Sequence, residues 1–402
     1  MKNLKSLFLR SLYKAVGKLR ATSPAISLAP LQIRGLQQCL IQSLRKGKTY
    51  ETQVTLDSEA VKELKWWIIN LQIIQGKPIS LIPPEAQVRI ATDASKTAWG
   101  AHRDGGETIG DQWSPSERTQ HINVLELVAV ELALKTFFRE QTPVSVHLQI
   151  DNTTALSYLV KMGGTRSITL NMITKRIWKF LSSKSITLTA SWIPSDQNVI
   201  PDKRSRLRPN SSELLLSEKV FLKIVKKFGT PSVDLFASRS MHKIDNYMSL
   251  SPDPECSAVD AMSQSWEGTF PFMFPPFCLI GRVLKKLKRH QVEKAILVAP
   301  MWAGQTWFPV LLEQCIRNPY ILPNKTNLLT GPDGKHHPIQ KRLHLAVFLV
   351  TGKPSRAEGY RQGLQNLSLM QEGKVHQLLT NPPGKSGAAG AVKGVLIPIA
   401  HL

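Results

Sequence analysis

Residues 86–208 contain an order of secondary-structure patterns that restricts the fold more than any other part of the chain. The patterns predict, in chain order, strands at 88–92, 98–101 and 107–110, a helix from 123, a strand at 144–150, helices at 152–162 and 168–181, a strand at 186–192 and a short basic helix. Asn123 and Asn152 are the expected N-caps of two of these helices. The order βββαβααβα indicates an α/β fold, with a mixed five-stranded sheet flanked by helices.

Four acidic residues stand where such a sheet gathers side chains. Asp93 lies near the end of the first strand, Asp151 follows the fourth, Glu126 lies near the start of the long helix, and Asp202 opens the last helix. The carboxyl ends of strands in an open sheet bring together residues that are distant in sequence. Converging carboxylates repel one another unless divalent cations neutralise them, and oxygen ligands suit Mg²⁺ or Mn²⁺. Two such ions can hold an attacking water and stabilise the leaving oxygen of a phosphodiester.

The order of the acids separates related nuclease sites. Each acid alone is explained as a cap, a turn residue or a first-turn acid that complements a helix dipole. A proofreading exonuclease carries Asp-x-Glu on its first strand, whereas Asp93 is followed by Ala94 and Ser95. A transposase-type site lacks the glutamate on the helix. The order Asp, Glu, Asp, Asp matches ribonuclease H.

Five segments resemble the ribonuclease H domain of retroelement reverse transcriptases. They are ATDAS at 91–95, NVLEL at 123–127, LQIDNTTA at 148–155, WIPSDQN at 192–198 and PDKRSR at 201–206. The chain departs from that family at Pro201, where an alanine is usual, and at Trp192, where a histidine is common. The resemblance implies Asp93, Glu126, Asp151 and Asp202 as catalytic metal ligands for two Mg²⁺ or Mn²⁺ ions.

Three further segments are similar to DIRS-type retrotransposon polyproteins: MGGTRS at 162–167, VDLFASR at 233–239 and FPPF at 274–277. This resemblance implies that residues 1–80 are a helical remnant of a polymerase thumb and connection. The sequence contains no Tyr/Phe-x-Asp-Asp pair, so DNA synthesis is not expected from this chain, and a polymerase domain would be supplied elsewhere. The chain is expected to be a fragment or a domesticated remnant of such an element.

The same resemblance implies a methyltransferase-like α/β domain at 213–352, and the weakly patterned, glycine-rich residues 353–402 predict a flexible tail. Related adenine methyltransferases have Asn or Asp before the Pro-Pro step to hold the target amino group. Phe274 occupies that position here and cannot accept a hydrogen bond. Asp234 is a candidate for holding a ribose.

The charge of the chain predicts a polyanionic partner. Lys and Arg number 52 against 29 Asp and Glu, which gives a net charge of +23. The first 50 residues contain ten basic residues and no acid, which suits either a segment that touches nucleic acid or a transit peptide. No apolar run reaches the roughly 18 residues of a membrane helix. Four widely spaced cysteines fit a reducing compartment, so we expect cytoplasm or nucleus rather than secretion.

The leading hypothesis is therefore a metal-dependent endonuclease that cuts the RNA strand of RNA/DNA hybrids. Six residues are candidate contacts to nucleic acid: Ser95, Arg204, Arg206, Lys285, Lys286 and Arg289. One alternative is a catalytically inactive nucleic-acid-binding remnant, which would bind with salt dependence and without cleavage. Another is DNA adenine methylation by residues 213–352.

Overall fold

The computed structural model of the chain describes residues 6–26, 28–71, 85–140, 143–206, 214–323, 327–331, 336, 343–364 and 387–402. The chain divides into two units, of which the first comprises 1–111 with 116–207 and the second 112–115 with 208–402. The predicted helical segment therefore belongs to the same unit as the five-stranded sheet. Gly76-Lys77-Pro78 and Pro83-Pro84 predict a linker at 76–84, which lies outside the described residues.

The N-terminal segment is mainly helical, as predicted. Its elements are β1 (Ser6–Phe8), α1 (Leu9–Thr22), α2 (Arg34–Arg45), β2 (Gln53–Thr55) and α3 (Ser58–Asn70). Leucines at helical spacing, including Leu12, Leu36 and Leu40, form a buried core between α1 and α2. Asp57 caps α3 by accepting a hydrogen bond from the Ala60 amide (2.8 Å).

The rest of the first unit is built on the mixed five-stranded sheet that the sequence predicts. Its elements are β3 (Val88–Ala94), β4 (Ala98–Arg103), β5 (Thr108–Gln112), α4 (Pro115–Arg118), α5 (Ile122–Phe137), β6 (Val144–Ile150), α6 (Thr153–Val160), α7 (Ile168–Ser183), β7 (Ile186–Trp192) and α8 (Val199–Ser205). The strand order is β5-β4-β3-β6-β7. β4 is antiparallel to β3, whereas β3, β6 and β7 are mutually parallel. The predicted α/β class, with a mixed five-stranded sheet flanked by helices, is thereby confirmed.

The helix caps agree with the sequence in one case and differ in the other. Asn152 caps α6 by accepting from the Ala155 amide (2.9 Å). α5 begins earlier than predicted because His121, rather than Asn123, is its N-cap, and the His121 ring accepts from the Asn123 amide (3.2 Å). The Asn123 side chain instead accepts from Asn152 Nδ2 (3.0 Å), which ties α5 to the end of β6.

The second unit is an α/β domain. Its elements are β8 (Leu215–Leu216), α9 (Glu218–Phe228), β9 (Val233–Ala237), β10 (Tyr247–Ser249), β11 (Ala258–Val259), β12 (Pro271–Met273), α10 (Ile280–Arg289), β13 (Ala295–Pro300), α11 (Trp307–Glu313), β14 (Tyr320–Ile321), β15 (Leu329–Thr330), β16 (Leu345–Val350), α12 (Pro354–Gln362), β17 (Ala388–Val392), β18 (Val395–Pro398) and β19 (Ala400–His401). Eight strands form one sheet in the order β11-β10-β9-β12-β13-β16-β14-β19. The strands from β9 to β13 are parallel, and β16 is antiparallel to both of its neighbours. The chain reverses its direction across the sheet between β9 and β12, which makes that point the topological switch point.

The flexible tail predicted over residues 353–402 is wrong for the part that the structure describes. α12 lies in this range, β17 and β18 form an antiparallel hairpin, and β19 pairs with β14. Glycine was interpreted as a sign of flexibility, but Gly394, with φ of +77°, forms part of the turn between β17 and β18. Ala389 and Ile397 are fully buried in the core of the unit.

Within the described residues, no helix combines the length and the apolarity that crossing a bilayer demands.

Candidate metal centre

Three of the four predicted acids meet at the carboxyl end of the sheet. Asp93 lies at the end of β3 and Asp151 directly follows β6, and these two strands are parallel neighbours in which Thr92 is paired with Ile150. Glu126 projects from the second turn of α5. One carboxylate oxygen from each of the three lies within 4.8 Å of the others. Together they form a candidate site for a divalent cation.

The electrostatics of this group are those of crowded, buried carboxylates. Glu126 is 4% exposed, and burial raises its pKa to about 9, with the negative charges of Asp93 and Asp151 contributing further. Burial also raises the pKa of Asp93, whereas a hydrogen bond from Ser205 lowers it. Glu126 Oε2 is buried and has no hydrogen-bond partner among the described residues, whereas the Ala94 amide hydrogen-bonds the same carboxyl group. A buried carboxylate oxygen without a donor fits a cation ligand, because leaving it unpaired is costly.

Two serine hydroxyls bind the aspartates of this group. Ser205 Oγ donates to Asp93 Oδ2 (2.5 Å), and Ser195 Oγ donates to Asp151 Oδ2 (2.8 Å). Sequence reasoning missed both serines. Ser205 stands three residues after Asp202 in the last motif and Ser195 follows the Ile-Pro step, but spacing alone does not show that either hydroxyl reaches a carboxylate.

Glycines in the sheet bring α8 close to the metal centre. A Cβ placed on Gly100 would lie 2.5 Å from Pro201 O and 2.7 Å from Arg204 Cβ, so α8 packs directly on the backbone of β4. Asn198 Nδ2, immediately before α8, donates to Thr92 O (2.9 Å) on β3. These contacts fix Ser205 beneath Asp93.

Asp202 is not brought into the three-carboxylate group. Its carboxylate, about one-third exposed, accepts from Arg206 one turn later, with Nη2 at 2.6 Å from Oδ1. Asp202 is nevertheless close enough for its charge to raise the pKa of Asp93. Its role as a metal ligand stays a prediction.

The candidate nucleic-acid contacts of the first unit have intramolecular partners. Ser95 Oγ donates to Ser205 O (2.7 Å) and accepts from the amides of the turn that follows. Arg204 lies over the sheet glycines, with Nη2 3.3 Å from Gly110 O. Arg206 is exposed but paired with Asp202. Their contacts to phosphate stay predictions.

The candidates in the second unit lie on α10, whose apolar side is buried. Lys286 Nζ donates to Met262 O (2.8 Å) and lies 5.1 Å from the centre of the Trp266 ring. Lys285 and Arg289 are exposed. Lys285 and Arg289, unlike Lys286, therefore have exposed side chains that a polyanion could contact.

Trp192 is an exposed aromatic residue at the edge of the metal centre. Its side chain is 52% exposed, and its indole N–H donates to Asp151 O (3.0 Å), which fixes the ring next to a candidate ligand. A fixed, exposed indole can stack on a base or a sugar.

No family model and no curated protein matches this sequence. Solved structures to which it is similar include ribonuclease H1 from the halophilic archaeon Halobacterium salinarum NRC-1, at 20% identity over 29% of this chain and 92% of that chain, with a TM-score of 0.25. LC11-RNase H1 in complex with an RNA/DNA hybrid is 16% identical over 29% of this chain and 93% of that chain, with a TM-score of 0.26. The foamy viral protease-reverse transcriptase in complex with double-stranded DNA is 15% identical over 48% of this chain and 33% of that chain, with a TM-score of 0.19.

Proposed function

We propose that residues 86–208 form a metal-dependent endonuclease that hydrolyses the RNA strand of RNA/DNA hybrids. The observation that carries this proposal is the convergence of Asp93, Glu126 and Asp151, with the buried Glu126 Oε2 lacking a donor among the described residues. The order of these acids along the chain, which matches ribonuclease H, supports the choice of reaction.

The ligand set fits Mg²⁺ or Mn²⁺ because it consists of carboxylate oxygens alone. Asp93, Glu126 and Asp151 would hold the first ion. Asp202 would serve a second ion after exchanging its ion pair with Arg206. A bound divalent ion would neutralise the crowded carboxylates and make a water molecule a better nucleophile toward phosphorus.

The chain's own residues position the ligands and bind the substrate. Ser195 and Ser205 orient Asp151 and Asp93, and α8 keeps this arrangement by packing on Gly100. The net charge of +23 favours a polyanion. A hybrid would be recognised by its backbone shape and its 2′-hydroxyls rather than by base sequence.

A panel of labelled nucleic acids tests the substrate class. The full chain is incubated with Mg²⁺ and an RNA/DNA hybrid, an RNA duplex, single-stranded RNA or a DNA duplex. Cleavage confined to the RNA strand of the hybrid is the expected result. Cleavage of the DNA duplex in preference to the hybrid would overturn the substrate class, and binding without cleavage in both Mg²⁺ and Mn²⁺ would favour an inactive remnant.

From the three motifs at 162–167, 233–239 and 274–277, we also propose that the chain derives from a DIRS-type retrotransposon reverse transcriptase. Its polymerase domain would then be supplied elsewhere. Primer extension tests whether the polymerase is supplied elsewhere, because the chain alone should then extend no primer on an RNA template. Extension by the purified chain would contradict it.

A second candidate function, methyl transfer in the second unit, is favoured by a cavity at the switch point between β9 and β12. Ligands of open α/β sheets bind at such points. The cavity of about 110 Å³, large enough for one ring system, is lined by Ser238, Asp260 and Phe274 among others. Ser238 Oγ is buried without a hydrogen-bond partner among the described residues, and Asp260 holds a φ of +51°. Asp234 is not among the residues that line the cavity, and its buried carboxylate accepts from the Lys243 amide (3.0 Å).

S-adenosylmethionine is the methyl donor to test. Transfer would break its S–CH₃ bond, form an N–CH₃ bond on adenine and release S-adenosylhomocysteine and a proton. Calorimetric titration should show binding by the wild type and loss of binding in Ser238→Leu, which fills the cavity. Phe274→Asn is expected to increase the transfer of labelled methyl to DNA over that of the wild type, because Phe274 cannot hold the target amino group. Absence of binding by the wild type would overturn this second function.

A further inference from the structure

The hydrogen bonds of Ser195 and Ser205 fall on the same oxygen, Oδ2, of their respective aspartates. In each aspartate Oδ1 is therefore the oxygen without a serine. A carboxylate whose Oδ2 accepts a short hydrogen bond is held in orientation, and its Oδ1 is the oxygen more available to a cation. This arrangement is present on two of the three acids of the metal centre.

The number of oxygens that each carboxylate offers affects which cation a site prefers. Ca²⁺ takes six to eight oxygens at about 2.3–2.6 Å and often binds carboxylates through both oxygens. Mg²⁺ takes six at about 2.0–2.1 Å in near-octahedral geometry and usually keeps several waters. Carboxylates that each offer one oxygen match the smaller ion, because Mg²⁺ binds fewer oxygens and completes its shell with waters.

The two serines differ in how firmly they are held. Ser205 is fully buried, its Oγ also lies 2.9 Å from Asp202 O, and its own carbonyl accepts the Ser95 hydroxyl (2.7 Å). Ser195 is exposed in the loop after β7, and Asn198 in the same loop anchors that loop to β3. Ser205 is thus the more rigid of the two, and Ser195 the easier to replace without disturbing the fold.

We propose that Ser195 and Ser205 are positioning residues that restrict Asp151 and Asp93 to one-oxygen ligation and thereby make the metal centre prefer Mg²⁺ and Mn²⁺ over Ca²⁺. The inference rests on the proposed metal site and goes beyond it by assigning the selectivity to two hydroxyls.

Calorimetric titration of the full chain with MgCl₂ and with CaCl₂ tests the proposal. The ratio of the Ca²⁺ to the Mg²⁺ dissociation constant is expected to fall about tenfold in Ser195→Ala and in Ser205→Ala, the scale typical for residues that orient metal ligands. Ser195→Thr keeps the hydroxyl and should keep the wild-type ratio. Ser183→Ala is the matched control, because the exposed Ser183 hydroxyl donates to the Phe180 carbonyl on α7, away from the metal centre.

The outcomes are separable. An unchanged ratio in Ser195→Ala, with Mg²⁺ still bound, overturns the role of the serines and leaves the metal site intact. An equal loss of affinity for both ions also overturns it, because that result indicates a purely structural role. Absence of Mg²⁺, Mn²⁺ and Ca²⁺ binding by the wild type overturns the metal site itself. Thermal unfolding of each variant shows whether Ser205→Ala still folds, and Ser195→Ala decides the question if it does not.

Discussion

Lys175 Nζ on α7 lies 2.7 Å from Glu63 Oε1 on α3, which joins the N-terminal helices to the helices of the five-stranded sheet through a buried ion pair. Glu63 is 1% exposed and also accepts from the amides of Gly35 and Leu36 at the start of α2 (3.0 Å each). Burial raises the pKa of Glu63, against the effect of Lys175. The carboxylate thus depends on its partners to stay charged.

Replacing Lys175 with Met should destabilise the first unit. The substitution leaves the Glu63 charge without its cation, and breaking a buried pair in this way costs roughly 3 kcal/mol. Urea unfolding followed by circular dichroism measures the change, with Lys179→Met, at an exposed position on the same helix, as the control. Equal stability of the two variants would show that Lys175 does not hold the segments together.

A second ion pair should make stability depend on pH. Burial alone would raise the pKa of Glu131, but hydrogen bonds from Arg176 and Lys135 more than offset it, so the pKa lies below its ordinary value. A lowered native pKa contributes stability above the unfolded pKa of about 4.3, and this stability is lost as pH falls through the native value.

Glu131→Gln is therefore expected to lower the free energy of unfolding by about 2 kcal/mol at pH 7. The difference from the wild type should shrink as pH falls below about 4, because the wild-type carboxylate then becomes protonated. Denaturant unfolding at a series of pH values checks this. A difference that stays constant across the series would contradict the assignment.

Gly100→Ala tests the packing that carries Ser205 to Asp93. The added methyl would overlap Pro201 O and Arg204 Cβ, so α8 must shift. We expect a loss of about 2 kcal/mol in stability together with weaker Mn²⁺ binding. Gly17→Ala in α1, where nothing lies within 4 Å of the new methyl, should leave Mn²⁺ binding unchanged. Retention of full Mn²⁺ affinity in a folded Gly100→Ala protein would refute the link between α8 and the metal centre.

Trp192→Ala tests the exposed indole beside Asp151. Loss of one stacking platform should raise the dissociation constant for an RNA/DNA hybrid about tenfold, measured without metal by fluorescence anisotropy. Trp192→Phe keeps an aromatic face and should bind closer to the wild type. If Trp192→Ala binds the hybrid as tightly as the wild type, the indole is not part of the substrate surface.

The sequence predicted the parts of the site that depend on local periodicity. Alternating apolar residues defined β3 and β6, so Asp93 and Asp151 could be placed at neighbouring strand ends, and helical spacing placed Glu126 on α5. It could not predict Ser195 and Ser205, because their contacts arise when α8 and the preceding loop pack on the sheet. Spacing likewise does not determine whether Asp202 pairs with Arg206 or joins the other three acids.

In the second unit, the resemblance implied an α/β domain at 213–352 but not the strands that follow it. The hairpin of β17 and β18 and the pairing of β19 with β14 are long-range contacts of a glycine-rich segment. Glycine is common both in flexible linkers and in tight turns, so composition alone led to the wrong prediction of a flexible tail.

Cleavage of a labelled RNA/DNA hybrid in Mg²⁺ by three proteins tests whether the three carboxylates form a nuclease site. The proteins are the wild type, Asp151→Asn and Asp196→Asn, the last an exposed acid from the neighbouring loop that lies outside the carboxylate group. We expect the wild type and Asp196→Asn to cut the RNA strand and Asp151→Asn to leave it intact. Cutting by Asp151→Asn at the wild-type rate, or no cutting by a wild-type protein that binds the hybrid, would contradict this expectation.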